Sequence, residues 1–174
     1  ISDTLCQPDA VEALPPLTTV PVAGFEPGEA LPTLNSDPGG WGFAPLGDLS
    51  APEGSYALYA GNGDVSPASY GLLATDATAI VSVTVPEDAA VADLAFQVRL
   101  EVVSPSTEDG VLEVRVNGEP RLVLGQAPAG WHPASVSLSG FAGQTVPVSF
   151  RFRAAASDAL IPGGLWLDAL ALQI

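Results

Sequence analysis

One histidine, one cysteine and twenty carboxylates are the groups with which this 174-residue chain could do chemistry. His132 is wedged between Trp131 and Pro133, and no GxSxG or other nucleophile motif accompanies it. A single histidine and the distant Cys6 do not make a transition-metal site, and one cysteine forms no internal disulfide. Twenty acids could supply the carboxylate pair of a glycoside hydrolase, since two suffice. No strand presents the closely spaced acidic triplet that sandwich glucanases use, however, and Glu113 and Glu119 flank a hairpin turn instead. The expectation is a protein that is not an enzyme.

Binding chemistry fits better. Abundant acidic oxygens suit a hard cation such as calcium, although the acidic turns "NGD" (62–64) and "TED" (107–109) read as plain surface loops. Sugar binding needs exposed aromatic platforms beside hydrogen-bonding groups. The available rings are Trp41, Trp131 and Trp166 with Tyr56, Tyr59 and Tyr70. Trp166 lies in an apolar terminal strand and reads as core, which leaves Tyr56, Tyr59 and Tyr70 as the candidate glycan-binding residues. Each could equally pack inward with its hydroxyl at the rim.

Charge narrows the partners. Five arginines, no lysine and a net charge of −15 repel phosphate backbones and anionic membrane surfaces. Nucleic acid is therefore excluded as a partner, although the same charge also serves simply to keep a β-protein soluble. No apolar run reaches the roughly 18 residues of a membrane helix, so membrane insertion is not expected. The chain starts at Ile1 and contains no methionine. That fits an exported protein whose signal has been removed, working extracellularly or at the cell surface. No Asn-x-Ser/Thr sequon occurs, because Asn35, Asn62 and Asn117 all fail at the third position.

The elements that must position these residues are strands. Hydrophobic residues make up 47% of the chain, with 18 glycines and 17 prolines to supply turns. "DLAFQVRLEVV" (93–103) sets Leu94, Phe96, Val98 and Leu100 on one face against Gln97, Arg99 and Glu101 on the other. "TAIVSVTV" (78–85), "ASVSLSG" (134–140) and "TVPVSFRFR" (145–153) alternate in the same way. "SYALYAG" (55–61) and "SYGLLAT" (69–75) are shorter β-like runs, and "GLWLDALALQI" (164–174) closes the chain. Asn117-Gly118 inside "GVLEVRVNGEPRLVLG" marks a hairpin. Residues 27–53, rich in proline and glycine, read as a long loop or two short edge strands. No helical period persists for three turns. The prediction is an all-β, antiparallel jelly-roll sandwich of about 8–10 strands.

Four segments carry a family resemblance: "GFEPG" (24–28), "APEGSYALYAGN" (51–62), "GWHPASVSLSGFAGQTVPVSFRFR" (130–153) and "LWLDALAL" (165–172). Their order and spacing resemble the MAM-like and carbohydrate-binding-module-like jelly-roll domains of bacterial secreted proteins. In that pattern Trp41 and Trp131 fall at positions that pack the sandwich. The resemblance covers residues 24–174 and also implies a structural calcium between the first and last strands. Carried over, its ligands are Glu26 and Asp168, whose carboxylates would tie the domain's two ends together. Alternatively, both are solvated rim carboxylates.

Residues 1–23 are surplus to that pattern and form an extended N-terminal arm. "LTTVPVAG" has β-branched residues, while Pro15, Pro16 and Pro21 keep it from pairing on both sides. Such an arm can add a strand to a neighbour's sheet, burying Leu14, Leu17, Val20 and Val22. Head-to-tail donation gives a filament. Fold-back onto the chain's own sandwich, and a simple linker, are the alternatives. The expected function is thus an extracellular structural subunit that self-assembles with copies of itself through the arm. The alternative is a glycan-binding or adhesion module.

Overall fold

The computed structural model describes residues 17–29, 33–35, 40–46, 52–61, 69–70, 75–102, 110–125, 129–155 and 161–174. Among the described residues every regular element is a strand, and none is a helix long and apolar enough to cross a membrane. The strands are β1 (Thr19–Ala23), β2 (Thr33–Asn35), β3 (Trp41–Pro45), β4 (Tyr56–Ala60), β5 (Ser69–Tyr70), β6 (Thr75–Thr84) and β7 (Asp93–Glu101). They continue with β8 (Val111–Val116), β9 (Glu119–Leu124), β10 (His132–Ser137), β11 (Thr145–Ala154), β12 (Ile161–Pro162) and β13 (Gly164–Gln173).

Two antiparallel sheets form a sandwich. The first runs β10-β7-β13-β4-β3, with β1 also on β13, and the second runs β2-β6-β11-β8-β9. Among the described residues, strands β5 and β12 pair only with each other. The 27–53 stretch yields β2 and β3, one at an edge of each sheet.

The alternation read from the sequence is the alternation that is buried. In β7, Leu94, Phe96, Val98 and Leu100 point into the core and the intervening residues do not. Opposite them, β11 contributes Val146, Val148, Phe150 and Phe152, and β6 contributes Ala77, Ala79, Val81 and Val83. Trp41 also belongs to this core. At the β8–β9 hairpin Asn117 and Gly118 both take positive φ, 50° and 84°. That is the turn whose twist matches two antiparallel strands, and Asn-Gly adopts it at little cost.

The arm departs from the polymer expectation. β1 pairs antiparallel with β13 of the same chain, Thr19 opposite Gln173 and Pro21 opposite Ala171. Thr18 N donates to Ile174 O at 2.6 Å, and Ile174 N to Thr18 O at 2.9 Å. The backbone groups on the β13 side of this segment are therefore paired within the chain. Among the described residues β1 pairs on one side only, which accommodates Pro21. Of the proposed arm residues, Leu17 and Val20 are exposed, Val22 is half-buried, and Leu14 lies outside the described residues. Residues 19–23 thus belong to the sandwich, not to an arm ending at 23. Deleting residues 1–23 is expected to cost about 2–4 kcal/mol, from the buried Ala23, the half-buried Val22 and the bared edge of β13. Comparing the urea midpoint of the shortened chain with that of the 174-residue chain checks this.

Candidate functional site

β13 is the strand on which the site is built. Along one side it pairs with β7 from Gly164 to Gln173. Along the other, β4 covers Leu165 to Leu167 and β1 covers Leu170 to Gln173. Asp168 and Ala169 fall between those two partners. There the ladder with β7 is bulged between Asp168 and Ala171, and Ala169 takes φ 51°. A left-handed alanine costs about 1–2 kcal/mol. The conformation turns the Ala169 N–H onto Asp168 Oδ1, at 2.7 Å.

Two chain segments enter the same gap, one leaving β1 and the other leading into β4. After β1, Phe25 also takes a positive φ, 61°, with its ring buried near Phe43. Glu26 then follows, and its Oε1 accepts from Ser55 N at 2.6 Å and Tyr56 N at 2.9 Å. Before β4, Glu53 N donates to Asp168 Oδ2 at 3.1 Å. Glu29 Oε2 accepts from Gly24 N at 2.8 Å. A methyl group on Gly24 would meet Glu53 Cδ at 3.4 Å and Glu29 Oε1 at 3.5 Å, so these two carboxylates converge on one backbone position.

The result is a junction of carboxylates from three places in the chain. Asp168 is wholly buried. Among the described residues, none of Glu26, Glu29, Glu53 or Asp168 forms an ion pair. Burial pushes the Asp168 carboxyl up to about 6, and the charges of Glu53 and Glu26 add to that rise. The two backbone N–H bonds to Asp168 pull the other way. No three acidic, imidazole or thiol side chains among the described residues meet closely enough to cage a metal by themselves.

Gly54 keeps the junction tight. It has φ 60°, and a β-carbon there would fall 2.0 Å from Glu26 Oε1. Gly54→Ala is expected to destabilise by about 1–3 kcal/mol, through the strained backbone and the displaced Glu26 carboxylate. The shift in thermal midpoint measures it.

Of the residues singled out from sequence, Glu26 and Asp168 are brought to one junction, 142 positions apart in the chain. Glu53 and Glu29 were missed. Glu53 could have been suspected, since "PEGSY" places an acid directly before a positive-φ glycine and a strand.

Of the three tyrosines, Tyr59 faces away from solvent. Tyr59 is 2% exposed, its hydroxyl donates to Gly163 O at 3.0 Å, and its ring lies 5.0 Å from Trp166. Tyr59 is therefore removed from the candidate glycan-binding residues. Tyr56 is half-buried and serves Glu26 through its backbone, and the Tyr70 side chain lies outside the described residues. Trp166 does not pack between the sheets. With Tyr59, Ala44, Leu46 and Ala57 it makes a second buried cluster, and Trp131 is partly buried against it rather than in the sandwich core. The Arg99 guanidinium sits 5.8 Å from the Trp166 ring centre. Cys6 lies outside the described residues.

No family model and no curated protein matches the sequence. Solved structures do. The K1 cleaved adhesin domain of Lys-gingipain from Porphyromonas gingivalis W83 superposes with a TM-score of 0.62 at 18% identity. That match covers 89% of this chain and 97% of that one. The module TmCBM61, solved with β-1,4-galactotriose, matches with a TM-score of 0.58 at 16% identity over 86% and 92% of the two chains. The K2 adhesin domain of Lys-gingipain matches at 0.53 and 16%, over 90% and 98%. At these identities the likeness is one of fold, and the chain has the β-sandwich of carbohydrate-binding modules and cleaved adhesin domains.

Proposed function

We propose that this protein is a non-catalytic, extracellular glycan-binding module whose two ends are clasped by a calcium ion. The observation that carries the sugar-binding half is the sandwich itself. It matches, over nearly the full length of both chains, a module solved with a bound oligosaccharide and a domain described as an adhesin. The calcium half rests on Asp168, a wholly buried carboxylate whose protein partners are backbone N–H groups. A buried charge without a counter-charge is costly, and calcium takes carboxylates together with backbone carbonyls. Asp168 from β13 and Glu26 from the exit of β1 would hold the ion, with backbone carbonyls completing its shell and the charge of Glu53 beside them. Glu29 extends the acidic rim. Such an ion would pin β1 and β4 to the last strand. It would supply charge compensation, not a reaction. The glycan-binding reading is preferred to the filament reading because the fold neighbours are an adhesin domain and a module solved with a sugar, and because residues 19–23 of the arm pair with their own β13.

The test is a glycan array probed with the full chain in millimolar calcium. Retention on at least one polysaccharide class, unchanged by removal of residues 1–16, is expected. Failure to bind any glycan, or filaments in electron micrographs of the same preparation, would overturn the proposal.

A further inference from the structure

Positive charge is scarce in this chain and unevenly placed. Of its five arginines, Arg115, Arg121, Arg151 and Arg153 all lie on strands of the second sheet, and only Arg99 is on the first. Alternation puts Arg115, Arg151 and Arg153 on the face opposite the core. Their strand neighbours Val114, Val116, Phe150 and Phe152 are fully buried. Two carboxylates answer them. Asp76 takes Arg151 Nε at 2.7 Å and Nη2 at 2.6 Å. Glu113 pairs with Arg115, and Arg153 Nη2 stands 3.8 Å from it. Among the described residues three guanidiniums face two carboxylates on this patch, in a protein of net charge −15.

A groove lies on that patch. Register explains it: Ser149 on the central strand β11 sits opposite Ile80 of β6 on one side and Arg115 of β8 on the other. One small side chain between two large ones leaves a trough. Gly118, at the β8–β9 turn, adds no side chain and has open space where one would stand. The groove holds about 500 Å³ and is lined by Asp76, Thr78, Ile80, Arg115, Ser149 and Arg151 besides that glycine. That is within the usual range of small-ligand sites.

The lining has a recognisable chemistry. The pair with Asp76 fixes the Arg151 fork while using two of its five N–H donors. A preoriented guanidinium with donors to spare, beside a second one, suits a planar carboxylate. Thr78, Ser149 and Asp76 offer hydroxyl and carboxylate partners for ring hydroxyls, and Ile80 offers an apolar surface for a sugar ring. The remaining acidic surface repels an anion only weakly beyond a Debye length of about 8 Å at physiological salt. Contact with the two guanidiniums acts well inside that distance.

We infer that this groove on the outer face of β6, β11 and β8 binds an acidic saccharide, seating a uronate carboxylate on Arg115 and Arg151. The inference rests on the glycan-binding reading and names the ligand class and the face used.

The test is isothermal titration of the full chain with trigalacturonate and with its neutral methyl ester, at 0.15 M salt. Binding of the acid, and at least tenfold weaker binding of the ester, is expected. Arg151→Gln should weaken the acid tenfold or more. Ser149→Tyr, which fills the trough and leaves every ion pair in place, should do the same, with thermal midpoints confirming that both variants fold. Equal affinity for acid and ester, or undiminished binding by both variants, would overturn the inference. A chain that binds other glycans on the array but not the uronate sinks this site alone. A chain that binds none sinks the glycan reading with it.

Discussion

Stripped of divalent ions, the protein should lose stability as pH rises from 4.5 to 7, and with calcium present the slope should reverse. The first half follows from Asp168. Its carboxyl stands at about 6 in the folded chain against an ordinary 3.8. A raised folded value means a contribution that is complete below the unfolded value and lost as pH climbs through the folded one. The gap corresponds to about 3 kcal/mol, from burial first and the neighbouring Glu53 and Glu26 charges second. About 2 kcal/mol of it falls between pH 4.5 and 7, which for a domain of this size is a thermal midpoint lower by about 4–8 °C. Asp168→Asn separates this effect from general charge repulsion. It should flatten the slope in chelator while giving up the acceptor for Glu53 N–H, a cost of about 1 kcal/mol.

With calcium the order inverts, because proton and ion compete for the same oxygens. At about 1,000 times the dissociation constant the bound ion adds about 4 kcal/mol. The measurement is a set of melts across pH, with chelator and with calcium. Parallel slopes for the wild-type chain and Asp168→Asn would refute this description of the junction.

Phe150→Ala should be the most damaging single substitution in the core, at about 3–5 kcal/mol. Phe150 comes from β11 and is wholly buried, and Phe96 comes from β7 on the opposite sheet. Their rings meet edge to face, 5.3 Å between centres at 88°. The pair therefore links the two layers, and truncation leaves a cavity at the centre of the sandwich. The exposed Val123→Ala, on the outermost strand β9, should stay within about 0.5 kcal/mol. Urea midpoints of the two variants check the contrast. A loss below 1 kcal/mol for Phe150→Ala would mean that the two sheets do not face each other as described.

These effects also explain what could be read from the sequence. Leu94 to Leu100 were legible because a half-buried strand must alternate, and Asn117-Gly118 because few other pairs accept two positive φ angles. The destination of β1 was not legible. A strand added to its own sheet and one added to a neighbour's make the same backbone hydrogen bonds. Only the closeness of Thr18 to Ile174 decides between them.

At the junction, Glu26 and Asp168 came from a family pattern. Glu53 did not, because a carboxylate in a proline- and glycine-rich turn looks like any surface loop until its backbone is found on Asp168, 115 residues away. Tyr59 failed as a platform for a related reason. Alternation places it opposite Leu58, on the face away from the core, and nothing local announces that Trp166 and Leu46 bury that face as well.

The most direct measurement of the proposed calcium clasp is a calorimetric titration of the chelator-treated 174-residue chain with calcium chloride at pH 7.4. One saturable site per chain is expected, absent in Asp168→Asn and weakened at pH 5.5, where the proton competes. No saturable binding at millimolar calcium, or binding that survives Asp168→Asn unchanged, would contradict a clasp between the first and last strands.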